Sequence, residues 1–167
     1  MTNYSDLTTR PWNSYISQIK TIIIAGITSI GARAFNGCSS LASITIPNKV
    51  TTIGTECFRG CTILASITIP NSVTTIWPGC FKGCTAFTSI TIPNSITFIA
   101  GDVFSNCPAL TSITFNGSQP AMTVNSFALG TSTNPATATV YSSGWANATV
   151  FTSSVIGSYT TLSYVTV

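Results

Sequence analysis

A phenylalanine recurs every 23 residues along most of this chain, and this strict period constrains the fold more than any other feature of the sequence. The five positions are Phe35, Phe58, Phe81, Phe104 and Phe127, and each of the first four is followed three residues later by a cysteine. Such a period is typical of a solenoid, in which short units stack because none buries enough apolar surface to fold alone. The sequence therefore predicts one elongated, repetitive body.

Each repeat contains a short alternating segment that ends at a proline-asparagine pair. In residues 41–46, isoleucines alternate with Ser43 and Thr45, which is the pattern of a strand with one buried face. Pro47 is expected to end this strand, because proline donates no hydrogen bond to a sheet. A second extended piece over residues 50–54 and a compact turn that closes with Gly-Cys complete the repeat. Neighbouring repeats are expected to pair in parallel at about 4.8 Å per rung.

The combination of period, Pro-Asn corner, phenylalanine and Gly-Cys pair resembles the BspA-like, or treponemal-type, leucine-rich repeats over about residues 22–127. This resemblance implies a right-handed curved solenoid, with a parallel sheet of S-I-T-I strands on its concave face. It also implies binding to other proteins or surfaces, without catalytic residues. The expected fold class is a leucine-rich-repeat solenoid, mainly β, with short helical or irregular turns.

An open stack must cover its terminal strand edges, so the sequence at both ends is expected to differ from the repeats. Residues 1–21 are predicted to form an N-terminal cap with a short helix. The apolar face of that helix would carry Trp12, Tyr15 or Ile16, and Ile19.

About five solenoid turns are predicted over residues 22–130, followed by a β-rich C-terminal segment over residues 131–167. Strands are expected in this segment at residues 137–141, 148–152 and 162–167. Two interpretations of the segment stay open: it caps the last rung, or it serves attachment or self-association.

Side chains suited to catalysis are scarce. Only 5% of the residues are charged, histidine is absent, and the carboxylates are Asp6, Glu56 and Asp102. General acid–base chemistry, histidine triads and carboxylate metal sites therefore lack their usual residues. Six basic residues are too few for the basic stripe that nucleic acid requires, and no apolar run is long enough to span a membrane. We predict no enzyme activity, no cofactor, no metal and no nucleic-acid partner.

The cysteines fall in two columns of the repeat, Cys38, Cys61, Cys84 and Cys107 in one and Cys57 and Cys80 in the other. Buried free thiols that pack as small apolar groups explain both columns better than zinc ligands or disulfides do. No export signal is visible, which favours synthesis in the cytoplasm with reduced cysteines.

The few charges are also placed in register. Arg33 lies one turn before Glu56 and predicts an ion pair between rungs, whereas Arg59 and Lys82 predict a small basic spot.

Two hydroxyl columns are predicted on the outward face of the strands, and this face is the candidate interaction site. Its residues are Ser43, Thr45, Ser66, Thr68, Ser89, Thr91, Ser112 and Thr114. We predict a non-catalytic binding or assembly protein that mediates protein–protein or surface attachment, as a component of a larger surface assembly. The alternative is a structural accessory or fibre protein of a virus or phage particle, and binding of ice or glycans through the Ser/Thr face is less favoured. The expected location is the surface of a cell or of such a particle.

Overall fold

The computed structural model describes residues 10–116 and three further strands of the C-terminal region. Within the described residues, a 3₁₀ turn, Asn13–Tyr15, precedes the strands. In chain order the strands are β1 (Thr21–Ile23), β2 (Ser29–Ile30), β3 (Ser43–Thr45), β4 (Thr52–Ile53), β5 (Thr75–Ile76), β6 (Ser89–Ile92), β7 (Phe98–Ile99), β8 (Ser112–Phe115), β9 (Ala121–Met122), β10 (Thr137–Ser142) and β11 (Thr161–Val165).

All the described strand pairs are parallel, and they form two columns along the stack. The first, which we call the front sheet, contains the ladder β1-β3 and the ladder β6-β8-β10-β11, and a bridge between Thr68 and Thr91 attaches the rung between them to β6. The second, the side sheet, has the order β2-β4-β5-β7-β9. Ser89 pairs with Ser112 in the front sheet, so equivalent positions of successive repeats lie side by side. The predicted parallel, mainly β solenoid is confirmed.

The phenylalanines form a continuous stack through the core. Phe58, Phe81 and Phe104 are fully buried, and the rings of Phe58 and Phe104 each lie 5.8 Å from that of Phe81 between centroids. Offset aromatic pairs at this separation add about 0.5–1.5 kcal/mol to the hydrophobic gain. Phe127, the fifth predicted member, lies outside the described residues.

The turns that carry these phenylalanines are joined by main-chain hydrogen bonds between rungs. The N–H of Phe35 donates to the carbonyl oxygen of Cys57 at 2.9 Å, and the N–H of Gly37 donates to that of Arg59 at 2.7 Å. Gly37 has a φ of +79°, a left-handed conformation that costs an L side chain about 1–2 kcal/mol. This position of the turn therefore favours glycine, and in the fourth repeat Asn106 adopts the same left-handed conformation with a φ of +58°.

The N-terminal cap differs from the prediction. The predicted short helix is not confirmed, because the described part of this segment forms a 3₁₀ turn of three residues, and Tyr15 points away from the core with 62% of its surface exposed. Trp12, Ile16 and Ile19 do pack against the core, and the Trp12 ring stacks on Phe35 at 5.9 Å.

Two side chains of this cap replace the main-chain donors that a preceding rung would supply. The indole N–H of Trp12 donates to the carbonyl oxygen of Ala34 at 3.0 Å, and the buried guanidinium of Arg10 donates to that of Asn36 at 2.6 Å. Ala34 and Asn36 occupy the repeat positions of Cys57 and Arg59, whose carbonyls accept main-chain N–H groups from the rung before. The cap thus satisfies acceptors that would otherwise lose a hydrogen bond on burial.

The C-terminal strands continue the front sheet. Thr139 of β10 pairs with Ser112 of β8, and Ser163 of β11 pairs with Thr139. The strands predicted at residues 137–141 and 162–167 are therefore present as β10 and β11, whereas the one at residues 148–152 lies outside the described residues. The proposed division at residue 130 stays a prediction.

Candidate interaction face

The structure brings all eight predicted hydroxyl residues to one face of the front sheet. The six from Ser43 to Thr91 are exposed, and Ser112 and Thr114 are half-buried. Along β6, exposed and buried residues alternate strictly, so the isoleucines point into the core while Ser89 and Thr91 point out. The alternation explains the geometry, because successive side chains of a strand lie on opposite sides of the sheet.

The hydroxyls of this face have no partners within the part of the chain that the structure describes. Several threonines at other positions of the repeat behave differently, since their hydroxyls donate to main-chain carbonyls of the preceding rung. Thr51 donates to Thr28 at 3.2 Å, and Thr88 donates to Ala65 at 3.3 Å. Exposed polar groups without a hydrogen-bond partner in the protein are mostly bonded to water. The hydroxyls of this face are therefore available to an external ligand.

The hydroxyl column that contains Ser43 and Ser112 extends beyond the predicted residues. Thr21 pairs with Ser43, and Thr139 and Ser163 continue the same column at the other end. The sequence pattern missed Thr21 because its strand lacks the S-I-T-I motif. It missed the other two because their spacings from Ser112 depart from 23 residues.

The column that contains Thr45 and Thr91 ends at an apolar side chain, that of Ile23 on β1, which pairs with Thr45. Ile23 is 87% exposed, which makes it the most exposed large apolar side chain among the described residues.

A shallow concavity adjoins the face where the strands end at the Pro-Asn corner. Its volume is about 280 Å³. The lining residues are Ile67, Thr68, Ile69, Asn71, Thr91, Pro93 and Asn116. Two asparagine side chains thus stand beside the hydroxyl columns, and neither was included in the predicted site.

The face is electrically neutral because the charged side chains of the repeats lie in the turns. Arg33 and Glu56 form the predicted ion pair, with Nε and Oε2 2.7 Å apart. The predicted basic spot is wrong: Arg59 pairs with Glu56 at 3.3 Å, and Lys82 pairs with Asp102 at 3.3 Å. Each positive charge of that spot has a carboxylate beside it.

All six cysteines are free and buried. They do more than fill space, because the thiols of Cys61, Cys84 and Cys107 donate to the carbonyl oxygens of Phe35, Phe58 and Phe81 at 3.1–3.3 Å. Burial raises the pKa of the Cys80 thiol to about 12, so it stays protonated at neutral pH and is a poor nucleophile or metal ligand. The described residues contain no group of three or more His, Cys, Asp or Glu side chains placed to hold a metal ion.

Trp77 is a second feature that the repeat pattern did not predict. It occupies the position of Gly31, Gly54 and Ala100 in the other repeats, and 42% of its surface is exposed. Its indole borders a groove of about 270 Å³ beside Thr52 and Thr55.

No helix in the described part of the chain is long and apolar enough to cross a membrane.

The parallel stack, the buried phenylalanine column and the Ser/Thr face define a leucine-rich-repeat solenoid. Six copies of the BspA type leucine rich repeat region match residues 13–133, and the chain belongs to this family. The family that the sequence motifs suggested is therefore confirmed.

Solved structures of bacterial leucine-rich-repeat proteins share this fold. A leucine rich repeat protein of T. pallidum is 28% identical, with a TM-score of 0.62 over 74% of this chain and 58% of that one. A leucine rich cell surface protein of Faecalibacterium prausnitzii is 25% identical, with a TM-score of 0.59 over 87% of this chain and 32% of that one.

A leucine-rich repeat protein of Eubacterium ventriosum, 22% identical, shows the same fold with a TM-score of 0.55 over 84% of this chain and 48% of that one. The chain thus spans between a third and three fifths of the length of these three structures. A comparison with curated protein sequences found no match.

Proposed function

We propose that this chain is a non-catalytic binding protein that attaches to another protein or to a surface through the outward face of its front sheet. One observation carries the proposal: eight Ser and Thr side chains lie in two columns on this face, and none of their hydroxyls makes a hydrogen bond within the described residues. Threonines of the same repeats that hold the rungs together do use their hydroxyls, as Thr88 and Thr97 show.

The chemistry of the face favours a neutral polar partner. A sheet face with regularly spaced hydroxyls can exchange hydrogen bonds with main-chain groups, amides or sugar hydroxyls, whereas a strongly charged partner would find no complementary charge. The family resemblance supports this role, and the likeness to a leucine rich cell surface protein supports a location at a surface.

The test is a binding screen against an array of purified surface proteins and an array of neutral glycans, with a matched pair of variants. Thr91→Lys places a charge at the centre of the face, and Thr74→Lys makes the same change at an exposed threonine outside it. We expect Thr91→Lys to weaken binding by about tenfold or more, as for a central contact residue, and Thr74→Lys to leave it unchanged. Equal affinities of the two variants would show that the front face is not the binding site.

A subunit role in a larger assembly is the second candidate. No charged residue follows Asp102, so the whole C-terminal part of the chain lacks the charges that normally keep an exposed surface soluble. Burial of this part against other subunits would remove that liability, as the sequence suggested for a cell-surface, virus or phage assembly.

A further inference from the structure

We propose that the groove beside Trp77, where the strands of the side sheet end, is a second binding site that takes one ring of a neutral carbohydrate against the indole. This site lies outside the front face, and the inference does not rest on the proposed function. It rests on three observations: the exposure of Trp77, the unpaired polar groups of the residues that line the groove, and their lack of charge.

The rungs on either side of Trp77 are both described, and neither covers its indole. Trp77 directly follows β5, and the equivalent residues of the two neighbouring rungs are Gly54 and Ala100, which are too small to shield a ring of this size. Trp77 is 42% exposed. Because the other described repeats have glycine or alanine here, the stack itself does not require an aromatic side chain at this position. Tryptophan combines a large apolar face with one N–H donor, which suits it to a binding surface.

The groove beside the indole is shaped by main chain that is fixed between two rungs. Its volume is about 270 Å³, and the residues that line it are Ala32, Thr52, Gly54, Thr55 and Trp77. Gly54 cannot take a side chain without a shift, because an added Cβ would overlap the main chain of Ala32. The N–H of Gly54 donates to the carbonyl oxygen of Ile30 at 2.9 Å, and that of Arg33 donates to Thr55 at 2.8 Å. A site held open in this way loses little entropy when it binds.

Three polar groups of the lining residues have no partner among the described residues. They are the hydroxyls of Thr52 and Thr55 and the indole N–H of Trp77. In contrast, the neighbouring Thr51 uses its hydroxyl to bind the carbonyl oxygen of Thr28 at 3.2 Å. A threonine hydroxyl can both donate and accept, so it can pair with any hydroxyl of a sugar.

The groove offers nothing to an ionic ligand. None of its lining residues is charged, and Glu56, which follows Thr55 in the chain, already pairs with Arg33 at 2.7 Å and with Arg59 at 3.3 Å. A cation above the indole would therefore find this carboxylate neutralised, and an anion would find both arginines engaged.

A neutral sugar ring matches the chemistry that remains. Its C–H groups can lie against the indole of Trp77, whose face is the negative part of the ring quadrupole. The hydroxyls at the edge of the sugar can then reach the side chains of Thr52 and Thr55. A few polar groups beside one apolar wall are the usual composition of a small-molecule site, and the volume of the groove suits one ring.

The experiment titrates the full chain with neutral oligosaccharides of glucose, galactose, mannose and N-acetylglucosamine, up to about 10 mM because a small open site binds weakly. NMR of the isotopically labelled chain follows the indole N–H signal of Trp77, which is identified by its loss in Trp77→Phe. We expect this signal to shift with at least one oligosaccharide. The signal of Trp12, whose N–H donates to Ala34 in the cap, should stay in place.

Two variants and two matched controls locate the site. Trp77→Ala should weaken binding by about tenfold or more, as for an aromatic anchor, and Thr52→Val by roughly threefold, because it removes hydrogen bonds and keeps the shape. Tyr15→Ala and Thr74→Val change an exposed aromatic and an exposed threonine outside the groove, and they should leave the affinity unchanged. Circular dichroism should show all four variants folded.

The outcomes separate this site from the front face. No shift with any oligosaccharide, or equal affinities of Trp77→Ala and Tyr15→Ala, would overturn the proposal. A glycan whose binding is weakened by Thr91→Lys and not by Trp77→Ala binds the front face, which would support the proposed function and refute the groove. A protein partner lost in Trp77→Ala, without any bound glycan, would assign the groove to a peptide instead.

Discussion

Replacing Trp12 by phenylalanine should remove one hydrogen bond of the N-terminal cap while an aromatic ring still covers Phe35. The indole N–H donates to the carbonyl oxygen of Ala34 at 3.0 Å, and the ring stacks on Phe35 at 5.9 Å. Leaving a buried carbonyl without its donor costs about 1–3 kcal/mol. Because Trp12 is half-buried and water can reach the site, we expect the free energy of unfolding to fall by about 1–2 kcal/mol.

The effect should be local as well as small, because each rung of a solenoid contacts only its neighbours. Urea unfolding followed by circular dichroism measures the total loss. Hydrogen exchange read by mass spectrometry then shows where the loss falls: faster exchange is expected in residues 29–38, the first turn, and unchanged exchange in residues 98–107.

Trp77 provides a matched control for the same substitution. Trp77 is 42% exposed, and its indole N–H makes no hydrogen bond with any described residue. Trp77→Phe should therefore change the free energy of unfolding by no more than about 0.5 kcal/mol. Equal losses for the two variants, or an exchange rate that rises equally in all turns, would refute the role assigned to the Trp12 N–H.

Three further predictions test the core, the turns and the buried thiols. Phe81→Ala should lower the free energy of unfolding by about 3–5 kcal/mol, whereas Tyr15→Ala, at an exposed site, should change it by less than about 0.5 kcal/mol; similar urea midpoints would contradict the phenylalanine stack. Gly54→Ala should lower the melting temperature more than Gly60→Ala, because the added Cβ at position 54 would lie 2.4 Å from the main-chain nitrogen of Ala32. At Gly60 the nearest atom is 3.8 Å away, so only the left-handed conformation is penalised. The reverse order would show that the rungs are spaced differently. Burial raises the pKa of all six thiols, that of Cys107 to about 12, so above about pH 9 the unfolded chain releases thiol protons that the folded chain retains. The free energy of unfolding should not depend on these thiols below about pH 8, and at higher pH each thiol should lower it by up to about 1.4 kcal/mol per pH unit. Between pH 7 and 11 the urea midpoint should fall less steeply in Cys107→Ala than in the original chain. Equal slopes would contradict the assignment.

The repeats were predictable because their period reports directly on stacking. A residue that recurs every 23 positions must meet its own equivalent in the next rung, so Phe58 and Phe81 were placed together from sequence alone. The alternation of Ser89 and Thr91 with isoleucines likewise fixed which side chains face outward. Both inferences need only the periodicity of strands and of the repeat.

The ends of the stack were less predictable, because their contacts do not follow the period. Trp12 and Ile19 have helical spacing, yet the cap is held by side-chain hydrogen bonds from Arg10 and Trp12 to distant carbonyls. No local pattern reports such contacts. At the other end, composition indicated strands, but the pairing of Thr139 with Ser112 could not be read from spacings that differ from 23 residues.

The predicted basic spot failed for a similar reason. Arg59 and Lys82 are one repeat apart and were expected to be neighbours, but a carboxylate reaches each of them. Glu56 lies in the same turn as Arg59 and Asp102 lies in the turn after that of Lys82, and each pairs with its basic side chain at 3.3 Å. Sequence spacing places residues in columns, whereas contacts between columns depend on the path of the turn.

The neutrality of the front face follows from the architecture itself. Parallel pairing in register stacks identical positions about 4.8 Å apart, so a charged residue in the repeat would face its own copy on both sides. Repulsion at that distance would oppose stacking, and it is avoided where charges alternate in sign, as in Arg33 and Glu56. Serine and threonine fill an exposed column without this penalty. The binding that we propose for this face would therefore depend on hydrogen bonds and shape, and we expect its affinity to vary little with ionic strength, unlike that of a charged interface.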